Sequence, residues 1–259
     1  MDSLLSRFSA VIANASAAQI TADPTLDGKL VLDRDGSLTV TYAPFDYINT
    51  TARVVLVGIT PGRQQAVNAL LEARRCLVAG KDLAAVAKAA KETASFSGSM
   101  RNSLIDMLDH IQLSRWLGIR SCAELFGARA DLVHYTSALR YPVYLNGLNY
   151  SGSPAMVSTP LLRRQILDYL TEEARMLPNA VWVPLGPAPA SALAMLARDG
   201  VLDAERVLDG LPHPSGANGE RIAYFLGRKD RQYLSAKTNP VKLDADRERL
   251  IGRMQELKT

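Results

Sequence analysis

The side chains best suited to catalysis or ligand binding stand together in one segment, Pro212-His213-Pro214-Ser215-Gly216. A proline on each side of the histidine leaves the imidazole little backbone freedom, and the glycine lets the chain turn where a side chain would clash. An imidazole can donate a proton near neutral pH, and a turn that opens a helix presents backbone N–H groups. The segment therefore predicts a site for a developing anion or a phosphate. The alternative is a rigid turn whose histidine caps a carbonyl.

The elements on either side of this segment predict how it is held. A short strand at Arg206–Leu208 precedes it, and a helix with Ile222 and Phe225 on its apolar face follows it. Asn218 or Ser215 is expected to cap that helix. The histidine is thus placed between the end of a strand and the start of a helix.

Three further apolar runs predict strands: Arg53–Gly58, Leu132–Leu139 and Ala180–Leu185. The first of them is continuous and rich in β-branched residues, which is typical of a strand buried on both faces. Helical patterns separate the runs, and this alternation predicts a parallel sheet covered by helices. Ligands of such sheets bind beyond the carboxyl ends of the strands. Both Ile59–Gly62 and Leu211–Asn218 are expected at that edge.

The other patterns are helical or loop-like. They predict a helix over residues 1–15, a hairpin around Asp35-Gly36, a helical pair over Ala66–Lys91 that is broken at Gly80, a helix around Leu104, a Gly/Asn/Ser-rich loop at Asn146–Ser153, and helices over Pro160–Leu177 and Asp244–Leu257. No linker is long enough to separate domains. We therefore expect a single domain over residues 1–259, with an N-terminal helix and hairpin extension at 1–50 and a charged tail at 234–259.

The composition is that of an ordinary globular protein, with 47% hydrophobic and 22% charged residues in 259. No run approaches the roughly 20 apolar residues of a membrane span, and the N-terminus lacks the basic start of a secretion signal. We therefore expect a cytoplasmic protein without a membrane partner. Cys76 and Cys122 cannot form a metal site by themselves, which argues against zinc or an iron–sulfur cluster. The net charge of +4 is compatible with a polyanionic partner.

Four segments follow one another in a characteristic order and spacing. They are Gly58-Ile59-Thr60-Pro61-Gly62 after a strand, Phe96-Ser97-Gly98-Ser99 before a helix, a strand over His134–Pro142 that ends at proline, and His213-Pro214-Ser215. With these motifs the chain resembles the uracil-DNA glycosylase superfamily over roughly residues 50–228. The resemblance implies an α/β fold, namely a three-layer α/β/α sandwich around a central, mostly parallel four-stranded sheet.

The resemblance also implies roles for individual residues. Such enzymes flip a nucleotide out of DNA, stack its base on an aromatic ring, and stabilise the negative charge that leaves with the base. The expected catalytic residues are His213, as the donor to that charge, and Thr60. Phe96 would be the stacking ring, although it could instead be an ordinary core aromatic. The other expected base-binding residues are Gly58, Ile59 and Ser137, and the expected DNA-binding residues are Pro61, Gly62, Arg63, Ser215, Gly216, Asn218 and Arg221, with Arg101 and Arg140 as further phosphate contacts.

Three positions depart from the family pattern. Thr60 stands where the family often has a Glu, Asp or Asn, Ser99 where one branch has an aspartate, and Ser137 where a base-reading asparagine is usual. A hydroxyl carries no charge and makes fewer contacts with a base edge than an amide does. The helical segment at Gln64–Thr93 could supply a replacement carboxylate. The candidates are Glu72, Asp82 and Glu92, and for each the alternative is a solvated helix charge.

The sequence thus favours a monofunctional DNA glycosylase of base excision repair, which hydrolyses the N-glycosidic bond of uracil or of a related deaminated or modified base. We expect DNA as its partner, a monomeric state, and no cofactor or metal. One alternative is a weakly active or inactive DNA- or damaged-base-binding protein on the same fold, which the three hydroxyl replacements favour. Another is a hydrolase of small nucleosides or nucleotides, which would act on free deoxyuridine.

Overall fold

The computed structural model describes residues 3–96 and 100–257, and it confirms the predicted α/β class. The helices in this part of the chain are α1 (Leu4–Asn14), α2 (Ala17–Ala22), α3 (Arg63–Val78), α4 (Leu83–Ala94), α5 (Met100–His110), α6 (Leu113–Leu117), α7 (Pro160–Gln165), α8 (Thr171–Met176), α9 (Pro187–Arg198), α10 (Gly219–Phe225) and α11 (Pro240–Glu256). The strands are β1 (Val31–Asp35), β2 (Leu38–Thr41), β3 (Val54–Gly58), β4 (Val133–Ser137), β5 (Val143–Leu145), β6 (Leu148–Asn149) and β7 (Val181–Pro184). None of the helices within the described ranges is long and apolar enough to cross a membrane.

The chain packs into two compact units, and each unit is assembled from three separate stretches. The first unit takes residues 1–48, 58–97 and 135–174, and the second takes residues 49–57, 98–134 and 175–259. The boundary between them falls inside β3 and β4, so each of these strands contributes residues to both units.

A parallel sheet of strand order β4-β3-β7 contains the apolar runs that the sequence predicts as strands. All residues of β3 and β7 are buried, as expected for strands covered on both faces. The two strands pair in parallel, with Val54 opposite Val181 and Val57 opposite Pro184. The predicted four-stranded sheet is wrong by one strand, because this sheet has three strands within the described residues.

The missing strand is the one predicted at Arg206–Leu208. Ala204–Arg206 forms a short 3-10 helix instead, and the N–H groups of Arg206 and Val207 bond to carbonyls three residues earlier. The segment pairs with β7 through a single parallel bridge, between Trp182 and Val207. Local turn bonds therefore use the N–H groups that a strand would have offered to its neighbour.

A second sheet, antiparallel and of order β1-β2-β5-β6, lies in the first unit. The predicted hairpin at Asp35-Gly36 is confirmed as β1 and β2. Strand β5 pairs with β2 and continues into β6 through Asn146-Gly147. The prediction of a loop over Asn146–Ser153 is therefore wrong at its start. Asn146 and Gly147 both have positive φ, 51° and 76°, which is the conformation of a tight hairpin turn whose twist matches that of the strands.

The predicted helices are confirmed, with differences at their ends and caps. The break at Gly80 separates α3 from α4, and this glycine has a φ of 70°. The helix predicted over Pro160–Leu177 is present but contains a π-helical segment, Ile166–Leu170, between α7 and α8. Asn218 is at the N-cap position of α10, one of the two predicted positions, but neither its side chain nor that of Ser215 bonds to the first N–H groups of the helix.

The core of the first unit joins helices α1–α4 to the antiparallel sheet. Helix α3 contacts α1, α2 and α4. Phe8 of α1 stacks on Tyr42 at a ring distance of 4.8 Å. The hydroxyls of Tyr42 and Tyr141 both donate to the carboxylate of Asp46 at 2.7 Å, so this apolar core encloses a hydrogen-bonded polar group.

Lys91 of α4 is a second buried polar side chain of the first unit. The lysine is buried, and its ammonium donates to the carbonyl of Tyr47 at 2.6 Å. Burial lowers the pKa of Lys91 to about 8, although the negative charges of Glu173 and Asp46 act to raise it. The positive charge of Arg140 acts in the same direction as burial.

We expect the first unit to become more stable as the pH rises from 8 to 9.5. A base whose pKa is lower in the folded chain binds fewer protons there, so stability increases with pH between the folded value and about 10.4. The gain should be on the order of 1 kcal/mol per pH unit. Urea unfolding at several pH values measures it, and Lys91→Met should flatten the slope while Lys88→Met, at an exposed position of the same helix, should not.

Two features define the pH window of this measurement. Asp, Glu and Arg side chains do not titrate between pH 8 and 9.5, so the charges that face Lys91 stay constant. Burial raises the pKa of Tyr42 and of Tyr141, and these groups would oppose the gain at higher pH. A slope that Lys91→Met leaves unchanged would contradict the prediction.

The second unit has its own core around β7. Helix α9 packs on β7, α5 contacts α6 and α10, and α10 contacts α11. Trp182 of β7 and Phe225 of α10 are fully buried, and His110 of α5 lies 5.7 Å from the ring of Phe225. The segment that follows Leu208 leads into α10 and carries His213.

Candidate functional site

His213 is held in one tautomer by its own turn. The N–H of Ser215 donates to Nδ1 of His213 at 3.3 Å. A nitrogen that accepts a hydrogen bond carries no proton, so the neutral ring has its proton on Nε2. The ring is half-buried, and this burial lowers the pKa of His213 below its ordinary value. At neutral pH the side chain is therefore a neutral imidazole whose Nε2–H is a hydrogen-bond donor.

Gly186 makes the close approach of this turn possible within the second unit. It lies between β7 and α9 and has a φ of 92°, in the region that favours glycine. A Cβ atom at this position would lie 3.2 Å from Cβ of His213 and 3.7 Å from its backbone nitrogen. A side chain at position 186 would therefore displace the histidine.

We expect Gly186→Ala to lower the free energy of unfolding by about 1–3 kcal/mol, the usual cost of strained backbone. It should also expose the imidazole and so raise the pKa of His213 toward about 6.5. An NMR titration measures this pKa. Gly200→Ala is the matched control, because Gly200 has a φ of 70° but no atom within 4 Å of an added Cβ. That variant should lose stability without moving the pKa, and an identical pKa in both variants would contradict the prediction.

The other expected DNA-binding residues of the second unit form a chain of hydrogen bonds at the start of α10. The amide of Asn218 donates to Oγ of Ser215 at 3.1 Å, and Arg221 donates to Oδ1 of Asn218 at 2.8 Å. Arg221 also donates to the carbonyl of Lys237 at 3.0 Å. Gly216 and Arg221 are exposed. These residues and the histidine are thus brought together on one turn.

The first unit brings together three of the expected base-binding residues. A Cβ atom at Gly58 would lie 3.3 Å from Oγ of Ser137 and 3.6 Å from the ring of Phe96. The carbonyl of Gly58 accepts the N–H of the first residue after β4 at 2.8 Å. The carbonyl of the next residue, Ile59, accepts the N–H of the second residue after β4 at 3.0 Å. Because Gly58 has no side chain, the hydroxyl of Ser137 and the ring of Phe96 can both lie next to it, where β3 and β4 end.

Phe96 has an unusual backbone and a covered ring. Its φ is 47°, which is uncommon for a residue other than glycine and is a form of strain often found at functional sites. Its ring is 7% exposed and lies 6.0 Å from the ring of Tyr135. The burial agrees with the core-aromatic alternative, so stacking on a base requires that the ring be uncovered. Ser99, where a family branch has an aspartate, lies outside the described residues.

Thr60 is tied to the strand region that follows β4. Its hydroxyl donates to the carbonyl of Tyr141 at 2.9 Å and accepts the N–H of Val143 at 3.1 Å. A hydroxyl has one proton to donate and two lone pairs, so one acceptor position is left. In this arrangement Thr60 holds the turn in place and can accept one more hydrogen bond.

The N-terminus of α3 is capped by side chains. The N–H of Gly62 donates to Gln65 at 3.0 Å, and the N–H of Arg63 donates to Oδ1 of Asn149 at 2.9 Å. The guanidinium of Arg63 donates to the carbonyl of Ala22. The backbone N–H groups of Gly62 and Arg63 are therefore used within the first unit, whereas the exposed side chain of Arg63 remains a cationic group at this turn.

The two other arginines expected to contact phosphate make contacts within the protein. Arg140 is 6% exposed and pairs with Glu173 at 2.7 Å and with Glu172 at 3.0 Å. Its prediction as a phosphate contact is wrong, because its charge is neutralised inside the first unit. In the second unit the guanidinium of Arg101 lies 4.7 Å from the ring centre of Phe126.

The three carboxylates proposed as replacements are engaged in helix α3 or α4. Glu72 pairs with Arg75 at 2.6 Å, Asp82 caps α4, and Glu92 lies 4.0 Å from Lys88. These contacts agree with the alternative given for the three carboxylates, namely that they are ordinary charges of the helices. Among the residues that the structure describes, no three His, Cys, Asp or Glu side chains are grouped so that they could hold a metal ion.

Sequence reasoning missed Asn149 and the hairpin that carries it. Asn149 bonds to Arg63 and lies against Gly62, where an added Cβ would be 3.4 Å from its Nδ2. The signal was present, because Asn-Gly between apolar residues is a strong indicator of a two-residue hairpin turn. The contact of Gly186 with His213 had no local signal.

Comparisons with known proteins add one relative. The chain is 36% identical over 217 residues to the uncharacterized protein YoxB of Bacillus subtilis (strain 168), and the match covers 83% of this chain and 85% of YoxB. No protein-family model matches the chain. No solved structure matches it either.

Proposed function

We propose that this chain, which belongs to the same family as YoxB of Bacillus subtilis, is a DNA glycosylase. It would hydrolyse the N-glycosidic bond of uracil or of a related deaminated or modified base in DNA. The observation that carries the proposal is the state of His213. Its Nδ1 accepts a hydrogen bond from Ser215, and its pKa is lowered by burial. The ring therefore offers a neutral Nε2–H donor at physiological pH.

Such a donor suits the chemistry of base release. When the bond between base and sugar breaks, negative charge develops on the base, and positive charge develops on the sugar. A fixed N–H donor in a poorly hydrated place stabilises the charge on the base, and it stabilises that charge more than it stabilises the intact nucleotide. A neutral imidazole does this without first losing or gaining a proton.

Recognition of the base is assigned to the first unit. Phe96 would provide a stacking surface, Ser137 would bond to the base edge, and Gly58 leaves the space between them. The strained backbone of Phe96 supports a functional role for this position.

Thr60 would act by holding its turn and by accepting one hydrogen bond from the attacking water. It cannot take a proton as a carboxylate can, so we expect slower hydrolysis than in an enzyme with a positioned base, by about 10²–10⁴-fold. The proposal also includes a three-layer α/β/α arrangement, which the resemblance implies, together with a monomeric state, DNA as the partner and a cytoplasmic location.

The direct test is incubation of the full chain with an oligonucleotide that contains one uracil, followed by alkali cleavage and a gel. We expect strand scission at the uracil position. Substrates with hypoxanthine, xanthine or a thymine mismatch identify the preferred base, and free deoxyuridine should not be hydrolysed. No scission with any of these oligonucleotides would overturn the proposal.

A second candidate is a protein that binds DNA or damaged bases without releasing them. The contacts of two of the candidate carboxylates favour it, because Glu72 pairs with Arg75 and Asp82 caps α4, so neither is assigned to activating a water. This candidate predicts tight binding to uracil-containing DNA with no turnover. Persistent binding without scission would favour it over the glycosylase.

A further inference from the structure

A cavity of about 250 Å³ lies on one face of the antiparallel sheet in the first unit. Arg34, Thr39 and Tyr144 form a row across β1, β2 and β5, because Arg34 is opposite Thr39 and Thr39 is opposite Tyr144. Residues directly opposite one another in an antiparallel sheet point to the same face. All three line the cavity, together with Arg63 from the start of α3.

Tyr144 lines this cavity and carries a buried hydroxyl. The residue is 5% exposed, and its hydroxyl has no hydrogen-bond partner among the described residues. Burial raises the pKa of Tyr144, whereas the positive charge of Arg63 and the neighbouring Thr41 hydroxyl act to lower it. The Thr41 hydroxyl does not reach hydrogen-bonding geometry with the phenol. An unpaired buried hydroxyl is unfavourable, and a bound oxygen atom would satisfy it.

The charges around the cavity favour an anion. Arg34 is exposed and has no ion pair within the described part of the chain, and the guanidinium of Arg63 donates one hydrogen bond, to the carbonyl of Ala22. Asp23 also lines the cavity, but its carboxylate already accepts hydrogen bonds from Thr25 and Asp27. Two guanidinium groups therefore face one carboxylate that is already hydrogen-bonded.

We propose that this cavity binds a phosphate group, with Arg34 and Arg63 neutralising its charge and the Tyr144 hydroxyl donating to one of its oxygens. The cavity is smaller than the roughly 300–1,000 Å³ of pockets for organic ligands, which suits a single phosphate better than a whole nucleotide. Guanidinium groups match the geometry of phosphate oxygens. The source of the phosphate is a DNA strand, and this assignment rests on the proposed function.

The first arm of the test uses inorganic phosphate and thermal unfolding of the full chain at constant ionic strength. Phosphate should raise the Tm of the wild-type protein, since a ligand that binds the folded state stabilises it. Tyr144→Phe should not lower the Tm without phosphate, because it removes an unpaired hydroxyl, and it should reduce the rise caused by phosphate. Arg34→Gln should reduce that rise as well.

Lys81→Gln is the matched control for the loss of a positive charge. Lys81 is exposed in the same unit and follows the C-terminal end of α3, whereas Arg63 is at the start of this helix, which is about 24 Å long. This variant should keep the full response to phosphate. A Tm of the wild-type protein that phosphate leaves unchanged, or equal responses in all variants, would overturn the phosphate site.

The second arm measures the affinity for a labelled DNA duplex over a range of salt concentrations. The slope of log K against log salt should fall in magnitude by about 0.9 in Arg34→Gln, as expected for one lost phosphate contact, and not in Lys81→Gln. An unchanged slope together with a response to inorganic phosphate would overturn DNA as the source. Absence of glycosylase activity leaves both readouts intact, so failure of the proposed function is seen separately.

Discussion

Replacement of His213 by alanine is expected to slow base release from uracil-containing DNA by about 10²–10³-fold, the usual cost of removing one donor aimed at developing charge. The affinity for DNA should change little, because the donor acts on charge that develops in the transition state. Single-turnover rates by alkali cleavage and dissociation constants by fluorescence anisotropy measure the two effects. An unchanged rate would remove His213 from the mechanism.

His110→Ala is the control for a general effect of losing a histidine. His110 is also half-buried in the second unit, and burial lowers its pKa too, but it packs against Phe225 and has no assigned role in the reaction. This variant should keep the rate of base release. A loss of rate equal to that of His213→Ala would point to destabilised packing instead of a lost donor.

The pH profile tests which protonation state of His213 is active. Burial lowers the pKa of His213, so the neutral ring predominates from about pH 6.5 upward. The rate should be constant through neutral pH and should fall only as the pH drops through the lowered pKa. A rate that falls as the pH rises from 6 to 7 would indicate that the protonated ring acts.

Replacement of Glu173 by glutamine is expected to lower the free energy of unfolding by about 3 kcal/mol or more. Glu173 has no exposed side-chain surface and pairs with Arg140 at 2.7 Å. Without the Glu173 carboxylate, the positive charge of the buried Arg140 guanidinium is only partly neutralised. Lys91 also loses a nearby negative charge that stabilises its protonated form. Urea unfolding measures the change, which is a large fraction of the stability of an ordinary domain.

Glu172→Gln is the matched control for this prediction. Glu172 also pairs with Arg140, at 3.0 Å, but its side chain is 53% exposed, so its loss should cost less than about 1 kcal/mol. Replacing Arg140 and Glu173 together by apolar residues should recover part of the stability, because no lone buried charge then remains. Equal losses in the two single glutamine variants would contradict the importance of burial.

Local patterns predicted most of the elements correctly. The apolar run at Arg53–Gly58 forms β3, and the turn at Asp35-Gly36 joins β1 to β2. These succeed because periodicity and turn residues act over a few neighbouring positions. Arg206–Leu208 failed since its apolar character does not reveal that a 3-10 turn would use its N–H groups.

The roles of polar residues were harder to predict than the elements. Arg140 looks like a surface arginine in the sequence, yet its partner Glu173 lies 33 positions later in the chain. The hydroxyl of Thr60 bonds to a carbonyl 81 positions away. Such pairings depend on how distant segments pack, and a window of neighbouring residues contains no information about them.

The order of apolar and turn residues by itself determined an α/β chain with a buried parallel strand, a hairpin, and a proline-held histidine before a helix. The contacts of the folded chain are needed to see that Nδ1 of His213 accepts an N–H, that Gly186 must lack a side chain, and that Tyr144, whose hydroxyl is unpaired, lines a cavity with two arginines. The physical reason is that burial and hydrogen-bond partnership are properties of contacts between distant segments, whereas helices, strands and turns follow from the preferences of adjacent residues.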